Sequence, residues 1–215
     1  MQTRQNKFIT IEGIEGVGKT TAVRVIQDYL TEHLREFIVT REPGGTVLAE
    51  EIRQMLLNPL AEKVTPEAEL LLMFASRAQH IARVIQPALD AQRWVISDRF
   101  VDASYAYQGG GRQVDLQKIQ LLDEWIVGSL QPQLTFLLDA PPNIGLLRAK
   151  NRGAQDRIEQ ETMDFFERVR AVYLQRASRF PERFCVVDAT APLETVREAI
   201  IARLDQLFTS AHHAH

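Results

Sequence analysis

The chain has 215 residues, 45% hydrophobic and 25% charged, with 28 acidic residues against 25 basic ones and a net charge of −3. This length and balance predict one α/β domain with a sizeable core and exclude a chain-wide basic field for nucleic acid or an anionic membrane, so any anion has to be met by locally placed arginines. The N-terminus from Met1 to Lys7 is polar with no apolar signal region, no apolar run approaches membrane-spanning length, and the single Cys185 rules out an intrachain disulfide, so a reducing, cytoplasmic setting is expected.

In chain order, Phe8-Ile9-Thr10-Ile11 reads as a short buried strand. It leads into Gly13-Ile14-Glu15-Gly16-Val17-Gly18-Lys19-Thr20, which matches G-x-x-x-x-G-K-[ST], the phosphate-binding P-loop. A helical pattern follows from about Lys19, with Val23, Ile26 and Leu30 on one face. Strand before and helix after are the context the motif requires. Its glycines allow the turn, and the backbone N–H groups from Gly13 to Thr21 form a cradle with the helix N-terminus. Lys19 is placed to reach the β and γ phosphates, and the Thr20 hydroxyl to face Mg²⁺.

Phe37-Ile38-Val39-Thr40 is a second strand, followed by the turn Arg41-Glu42-Pro43-Gly44-Gly45 and a helix over about 47–57 that ends at Asn58-Pro59. A long helical pattern spans about Thr65 to Gln92, with Thr65 as N-cap, Pro66 at the first helical position, and a bend or break expected near Gln86 because of Pro87. Trp94-Val95-Ile96-Ser97 is a third strand ending in Asp98-Arg99-Phe100, at the sheet edge where open α/β folds bind ligands. Gly109-Gly110-Gly111-Arg112 reads as a flexible break. Asp115 to Gly128 reads as a helix, and Leu134 to Asp139 as the clearest strand. A helix opens at Pro141-Pro142 and runs towards Asn151-Arg152-Gly153; Thr162 to Phe180, the strand Phe184 to Val187 and the helix Leu193 to Phe208 complete the chain. Cys185 sits in that last strand, where a packed inert thiol is expected. The tail Ala211-His212-His213-Ala214-His215 reads as a frayed terminus. Five strands alternating with helices point to a P-loop NTPase fold, one five-stranded, mostly parallel sheet flanked by helices.

A P-loop alone means phosphate handling. Three further stretches are more specific. Thr40-Arg41-Glu42-Pro43-Gly44-Gly45-Thr46 resembles the TREPGG signature of bacterial thymidylate (dTMP) kinases. Asp98-Arg99-Phe100 with Ser104-Tyr105-Ala106-Tyr107-Gln108-Gly109 is similar to that family's DR-[YH] strand end and S-x-A-Y-Q-G segment, with Phe100 departing from the usual Tyr or His. Arg152-Gly153-Ala154-Gln155-Asp156-Arg157-Ile158-Glu159 resembles its lid. With the P-loop, these matches cover residues 8–190 in order.

The resemblance implies a single nucleoside-monophosphate-kinase domain over 1–215 with a short lid at about 148–160. It implies transfer of the ATP γ-phosphoryl group to dTMP with Mg²⁺, and a homodimer whose candidate interface is the apolar faces of 65–86 and 115–128. Phosphoryl transfer needs two anions brought in line and their charge neutralised, so positive groups must flank both phosphates. Lys19 serves the donor side; the resemblance places Arg99 and Arg53 on the acceptor phosphate. The family divides between enzymes with an arginine in the P-loop and enzymes with lid arginines instead. This loop carries Glu15 and resembles the second type, which implies Arg152 as the main catalytic arginine with Arg148 in support. For the base and sugar it implies Phe74 stacking on thymine, Arg77 on a ring carbonyl, Ser104 and Gln108 bonding the base, and Tyr107 against the deoxyribose. Glu15 would meet the sugar hydroxyl or the metal's water shell, and Glu42 and Asp98 are further acidic candidates near metal or acceptor. With no His-Cys cluster, Mg²⁺ held by phosphates and oxygen ligands (Thr20, Asp98, Glu15) is expected.

Two alternatives remain at this stage. A kinase of the same fold acting on UMP, GMP or thymidine would differ only in the acceptor pocket. A GTPase-type switch would usually carry N-K-x-D, and the only Asn-Lys pair, Asn6-Lys7, precedes the first strand and is followed by Phe8-Ile9. A relative that has lost activity is disfavoured by the intact Lys19, Thr20, Arg99 and lid arginines.

Overall fold

The computed structural model describes residues 7–58, 62–151 and 156–212. Its centre is one sheet of five parallel strands in the order β2-β3-β1-β4-β5. These are β1 (Phe8–Glu12), β2 (Phe37–Arg41), β3 (Trp94–Asp98), β4 (Leu134–Asp139) and β5 (Phe184–Asp188). Residues alternate between two hydrophobic layers, as the pleat requires. Ile9, Ile11, Trp94 and Ile96 join the layer made with α1 (Lys19–Glu32), α8 (Met163–Arg179) and α9 (Leu193–His212). Phe8 and Val95 face the opposite layer with α3 (Pro66–His80), α4 (Gln86–Asp90) and α6 (Leu116–Leu122). Three further helices complete the order: α2 (Val47–Leu57), α5 (Val101–Ser104) and α7 (Pro142–Lys150).

Strand register positions the site. Ile11 of β1 and Arg41 of β2 both stand opposite Asp98 of β3. Three adjacent strands therefore end on one row, and the turns after them emerge together.

The helix starts follow side-chain capping: Thr65, Asp115 and Thr162 accept from Ala68 N, Gln117 N and Phe165 N. Two expectations need refining. Of the bend or break expected near Gln86, the break does not occur; Ile81–Ile85 widens into a π turn between α3 and α4, and Gln86 N–H bonds back to Ile81 O. Gly109 to Gly111 are not a flexible break. They lie in a second wide turn, Tyr105–Gly111, pressed against α8, and Arg168 donates to the Gly110 and Gly111 carbonyls. A Cβ on Gly110 would stand 2.8 Å from Arg168 O, and one on Gly111 2.4 Å from the Phe165 ring. Glycine is there because two helices touch.

Burial pushes the Cys185 thiol up, in keeping with a packed, inert cysteine. α9 continues to His212, past the expected fraying point, while His213, Ala214 and His215 lie outside the described residues, as does Pro59. Among the described residues no helix is long and apolar enough to cross a membrane.

The glycine contact is testable. Gly110→Ala should lower stability by about 1–3 kcal/mol through overpacking against Arg168 O, although alanine is the better helix former. Urea unfolding measures it, and an unchanged midpoint would contradict the close approach.

Candidate active site

The turns beyond β1, β2 and β3 enclose a cavity of about 540 Å³. Glu15, Gly16, Gly18, Lys19, Thr20 and Thr21 form one wall, and Arg53, Met73, Tyr107, Gln108 and the segment 156–159 another, with Arg99 between them.

On the first wall, Gly13, Gly16 and Gly18 have φ of 134°, 74° and 97°, values that side chains rarely adopt. Gly13 and Gly16 also lack room: a Cβ would lie 2.4 Å from Leu138 O at Gly13 and 1.8 Å from Gly145 O at Gly16. Ile14 and Val17 anchor the loop in the core. Gly18 caps α1, so the loop meets the helix N-terminus where an anion is favoured. Lys19 Nζ folds over the loop and donates to Ile14 O at 2.8 Å and Gly13 O at 3.2 Å. Burial, then the Arg99 charge, lowers Lys19 to about 8, so an adjacent phosphate would favour its charged form.

Arg99 has φ 72°, left-handed for a non-glycine residue. Its guanidinium donates to Glu15 Oε1 at 2.7 Å, Gly13 O at 3.0 Å and the Tyr173 hydroxyl at 3.2 Å, and lies over the Tyr107 ring. The Tyr107 hydroxyl donates to Glu15 at 2.7–2.8 Å. Glu15 thus joins the P-loop to both Arg99 and Tyr107. Behind them sits Glu12, which accepts from Phe100 N and from the Tyr173 hydroxyl, each at 2.7 Å. Neither Glu12 nor Tyr173 was singled out from sequence. Glu12 lies inside a strand, and Tyr173 is one of many residues on the buried face of α8.

Arg53 donates to Pro43 O at 2.9 Å on the cavity wall. Burial and then the Arg41 charge lower its pKa, with Arg99 adding to the effect and the Glu50 and Asp156 charges opposing it. Glu42 accepts from Arg77 Nε at 2.8 Å and pairs with His80 Nδ1 at 3.0 Å, an inward ion-pair role that the sequence reading did not include.

The structure gives the three expected base-facing residues Phe74, Arg77 and Ser104 a buried setting: Phe74 packs with a hydrophobic cluster, and Arg77 stacks on it while donating to Ser104 Oγ and Phe100 O. Spacing of three on a helix gave Phe74 and Arg77 a common face, but could not show that Glu42 and Ser104 would occupy that face. Phe100 also packs inward, edge-on to Phe8, so its missing polar group is not exposed at the site. Gln108 does line the cavity. Its Nε2 donates to Glu69 at 3.0 Å, while its buried Oε1 has no hydrogen-bond partner.

Of the lid residues, Arg148 lines the cavity and donates to Ala189 O at 2.8 Å. Arg157 donates to Leu56 O and Glu69. Arg152 lies outside the described residues, with Gly153, Ala154 and Gln155.

Among the described residues no group of three or more His, Cys, Asp or Glu side chains could hold a metal unaided. Thr20 and Asp98 nevertheless line the same cavity, and the buried Asp98 Oδ1 has no hydrogen-bond partner. These hard oxygen donors, with Glu15 beside them, fit Mg²⁺ shared with phosphates and water.

The family profile described as Thymidylate kinase matches residues 11–200. The chain belongs to the thymidylate kinase family. It is 52% identical over 201 residues to a thymidylate kinase of Pseudomonas putida (strain W619), covering 92% of this chain and 95% of that one. With the thymidylate kinase of Vesicomyosocius okutanii it shares 47% over 204 residues, covering 95% and 100%. The crystal structure of thymidylate kinase from Ehrlichia chaffeensis superposes with a TM-score of 0.74 at 33% identity, covering 92% of this chain and 97% of that one. Membership of the family accounts for the P-loop fold.

Glu12 supplies a pH test. Burial, with the Asp102 charge second, raises it from an ordinary 4.5 to about 8. A group raised on folding contributes stability that is complete below its unfolded pKa and lost as pH climbs through the folded one. Stability should therefore fall between about pH 5 and about pH 9. Glu12→Gln, which cannot ionise, should flatten that slope in urea midpoints; parallel slopes would exclude Glu12 as the source.

Proposed function

We propose that this chain transfers the γ-phosphoryl group of ATP to dTMP, giving dTDP and ADP. The observation that carries the reading is a phosphate cradle with Lys19, together with Arg99 and Arg53, lining one cavity whose wall also includes Gln108, with a buried carbonyl oxygen that has no hydrogen-bond partner. P-loop N–H groups and Lys19 hold the donor's terminal phosphates. Arg99 and Arg53 hold the acceptor phosphate. An acceptor oxygen then bonds to γ-phosphorus as the bond from γ-phosphorus to the β–γ bridging oxygen breaks. Mg²⁺, when bound by Thr20 and Asp98 with phosphate oxygens and water, neutralises charge on the donor phosphates.

Gln108 Oε1 is an acceptor suited to the N3–H of thymine, and Tyr107 is positioned by its hydrogen bonds to Glu15 to lie beside the sugar. Arg77 steadies Ser104 and Glu42 behind that pocket. Arg148 and Arg152 are the lid cations proposed to meet charge developing during transfer. A second copy of the chain is the proposed partner; exposed Leu71, Leu121 and Trp125 on the helical faces at 65–86 and 115–128 support that reading.

An ADP-release assay across acceptors tests the substrate. dTMP should be turned over far better than UMP, GMP or thymidine, because a mismatched ring leaves buried polar groups unpaired. Equal rates with dTMP and UMP would remove the pocket assignment.

The two kinds of arginine should separate kinetically. Arg152→Ala should lower kcat by about a hundredfold or more with dTMP KM nearly unchanged, as for a group acting only in the transition state. Arg99→Ala should raise dTMP KM as well. An unchanged kcat in Arg152→Ala would move the lid role to Arg148 or Arg157.

A further inference from the structure

Glu69 is a buried carboxylate that phosphoryl transfer leaves without a task. It projects from α3 to the cavity wall, its side chain 2% exposed. Four contacts from three side chains converge on it. Gln108 Nε2 donates to Oε1 at 3.0 Å. Arg112 Nε reaches Oε1 at 3.1 Å and Oε2 at 3.2 Å, and Arg157 Nη2 reaches Oε2 at 2.6 Å. Burial alone would raise its pKa, but the Arg112 charge and the bonds from Gln108 and Arg157 bring it below the usual carboxylate value.

An ionised carboxylate only accepts hydrogen bonds, whereas a carboxamide has a donor end and an acceptor end. Beside Glu69, Gln108 therefore has one allowed orientation. A flipped amide would set carbonyl oxygen against carboxylate oxygen. The allowed orientation leaves Oε1 as a buried acceptor without a hydrogen-bond partner, on a residue of the cavity wall. Thymine offers a donor at ring position 3, the N3–H. Cytosine offers a bare acceptor at the same position.

We propose that Glu69 is the positioning residue for base selection: by accepting from Gln108 Nε2 it fixes the amide so that Oε1 meets an N3–H, which admits dTMP and rejects dCMP. The inference rests on the reading above that Gln108 faces the base. Glu69 makes no contact with substrate in this scheme and acts through the amide.

Glu69→Gln is a directed test because the surrounding cations decide how the new amide sits. Arg112 reaches both oxygens, but Oε2 also takes the 2.6 Å contact from Arg157, so two cations stand at Oε2 against one at Oε1; the glutamine oxygen belongs at Oε2 and its NH₂ falls where Oε1 was, against Gln108. Gln108 then turns its oxygen to that NH₂ and presents its own NH₂ to ring position 3, which suits cytosine. kcat/KM for dTMP should fall, that for dCMP should hold or rise, and the ratio between them should narrow by roughly tenfold or more. Glu69→Asp keeps the charge and should keep the ratio within about threefold of the parent even if both substrates bind less well. Gln108→Leu should collapse the ratio by itself, and adding Glu69→Gln to it should change the ratio no further.

Parallel loss for dTMP and dCMP in Glu69→Gln, with the ratio kept, would reduce Glu69 to a packing role and overturn the proposal. So would loss of the ratio in Glu69→Asp, which remains decisive if Glu69→Gln does not fold. If Gln108→Leu leaves the ratio intact, the base-facing reading of Gln108 has failed and the inference falls with it. If Gln108→Leu collapses the ratio and Glu69→Gln does not, the reading of Gln108 stands and only the role of Glu69 is lost.

Discussion

Everything at the site depends on where three strands stop. Ile11, Asp98 and Arg41 share one hydrogen-bonded row, so β1, β3 and β2 release their chains at the same height and side by side. The parallel sheet does not allow one of these ends to shift alone: a slip of one residue would exchange the side chains that the strand presents to the two layers. The next residues, Glu12 and Gly13, Arg99, and Glu42, are therefore neighbours by construction. Backbone bonds bind the ends together as well, with Glu42 N–H on Asp98 O and Arg99 N–H on Ile11 O. The strained φ of Arg99 is held between a strand bond on one side and the Glu12 carboxyl on Phe100 N on the other.

Upon that frame lies a consistent arrangement of charge. Several cations around the cavity are held by an internal carboxylate: Arg99 by Glu15, Arg77 by Glu42, Arg112 and Arg157 by Glu69. Further back, Asp102 likewise joins Arg176 and Arg183. Such buried pairs contribute less to net stability than to fixing one geometry, since desolvation offsets much of the attraction. Lys19 and Arg53 differ. In this structure they rest on carbonyl oxygens, and both are shifted towards losing their charge. Both line the same cavity.

The sequence made legible what is local. The P-loop, the caps at Thr65 and Asp115, the strand run from Leu134 to Asp139 and the Asp98-Arg99 pair at a strand end all follow from short-range pattern. The comparisons with known proteins agree with the family that those motifs resemble. What pattern could not supply was depth. Phe74 and Arg77 share a helical face, yet whether that face meets a cavity or another layer of protein depends on Glu42, Ser104 and Phe100 from two other turns. The triple glycine has the composition of a loose loop, and only the presence of α8 against it gives it a packed role. Glu12, Tyr173 and Glu69 had no signal of their own, because a carboxylate in a strand or helix becomes informative only once its distant partners are known.

The contact between Gly16 and Gly145 joins two distant stretches of the chain into one mutational unit. With no side chain at either position, the backbone of α7 lies directly on the backbone of the phosphate loop, and a Cβ at either would overlap the other's neighbourhood, Gly145 O in one case and Glu15 O in the other. Drift at one position cannot be accommodated by a rotamer change at the other, because what stands in the way is main chain. A descendant with a side chain at position 16 or 145 must carry α7 outward as a body, and Arg148 on its last turn would move away from the cavity with it.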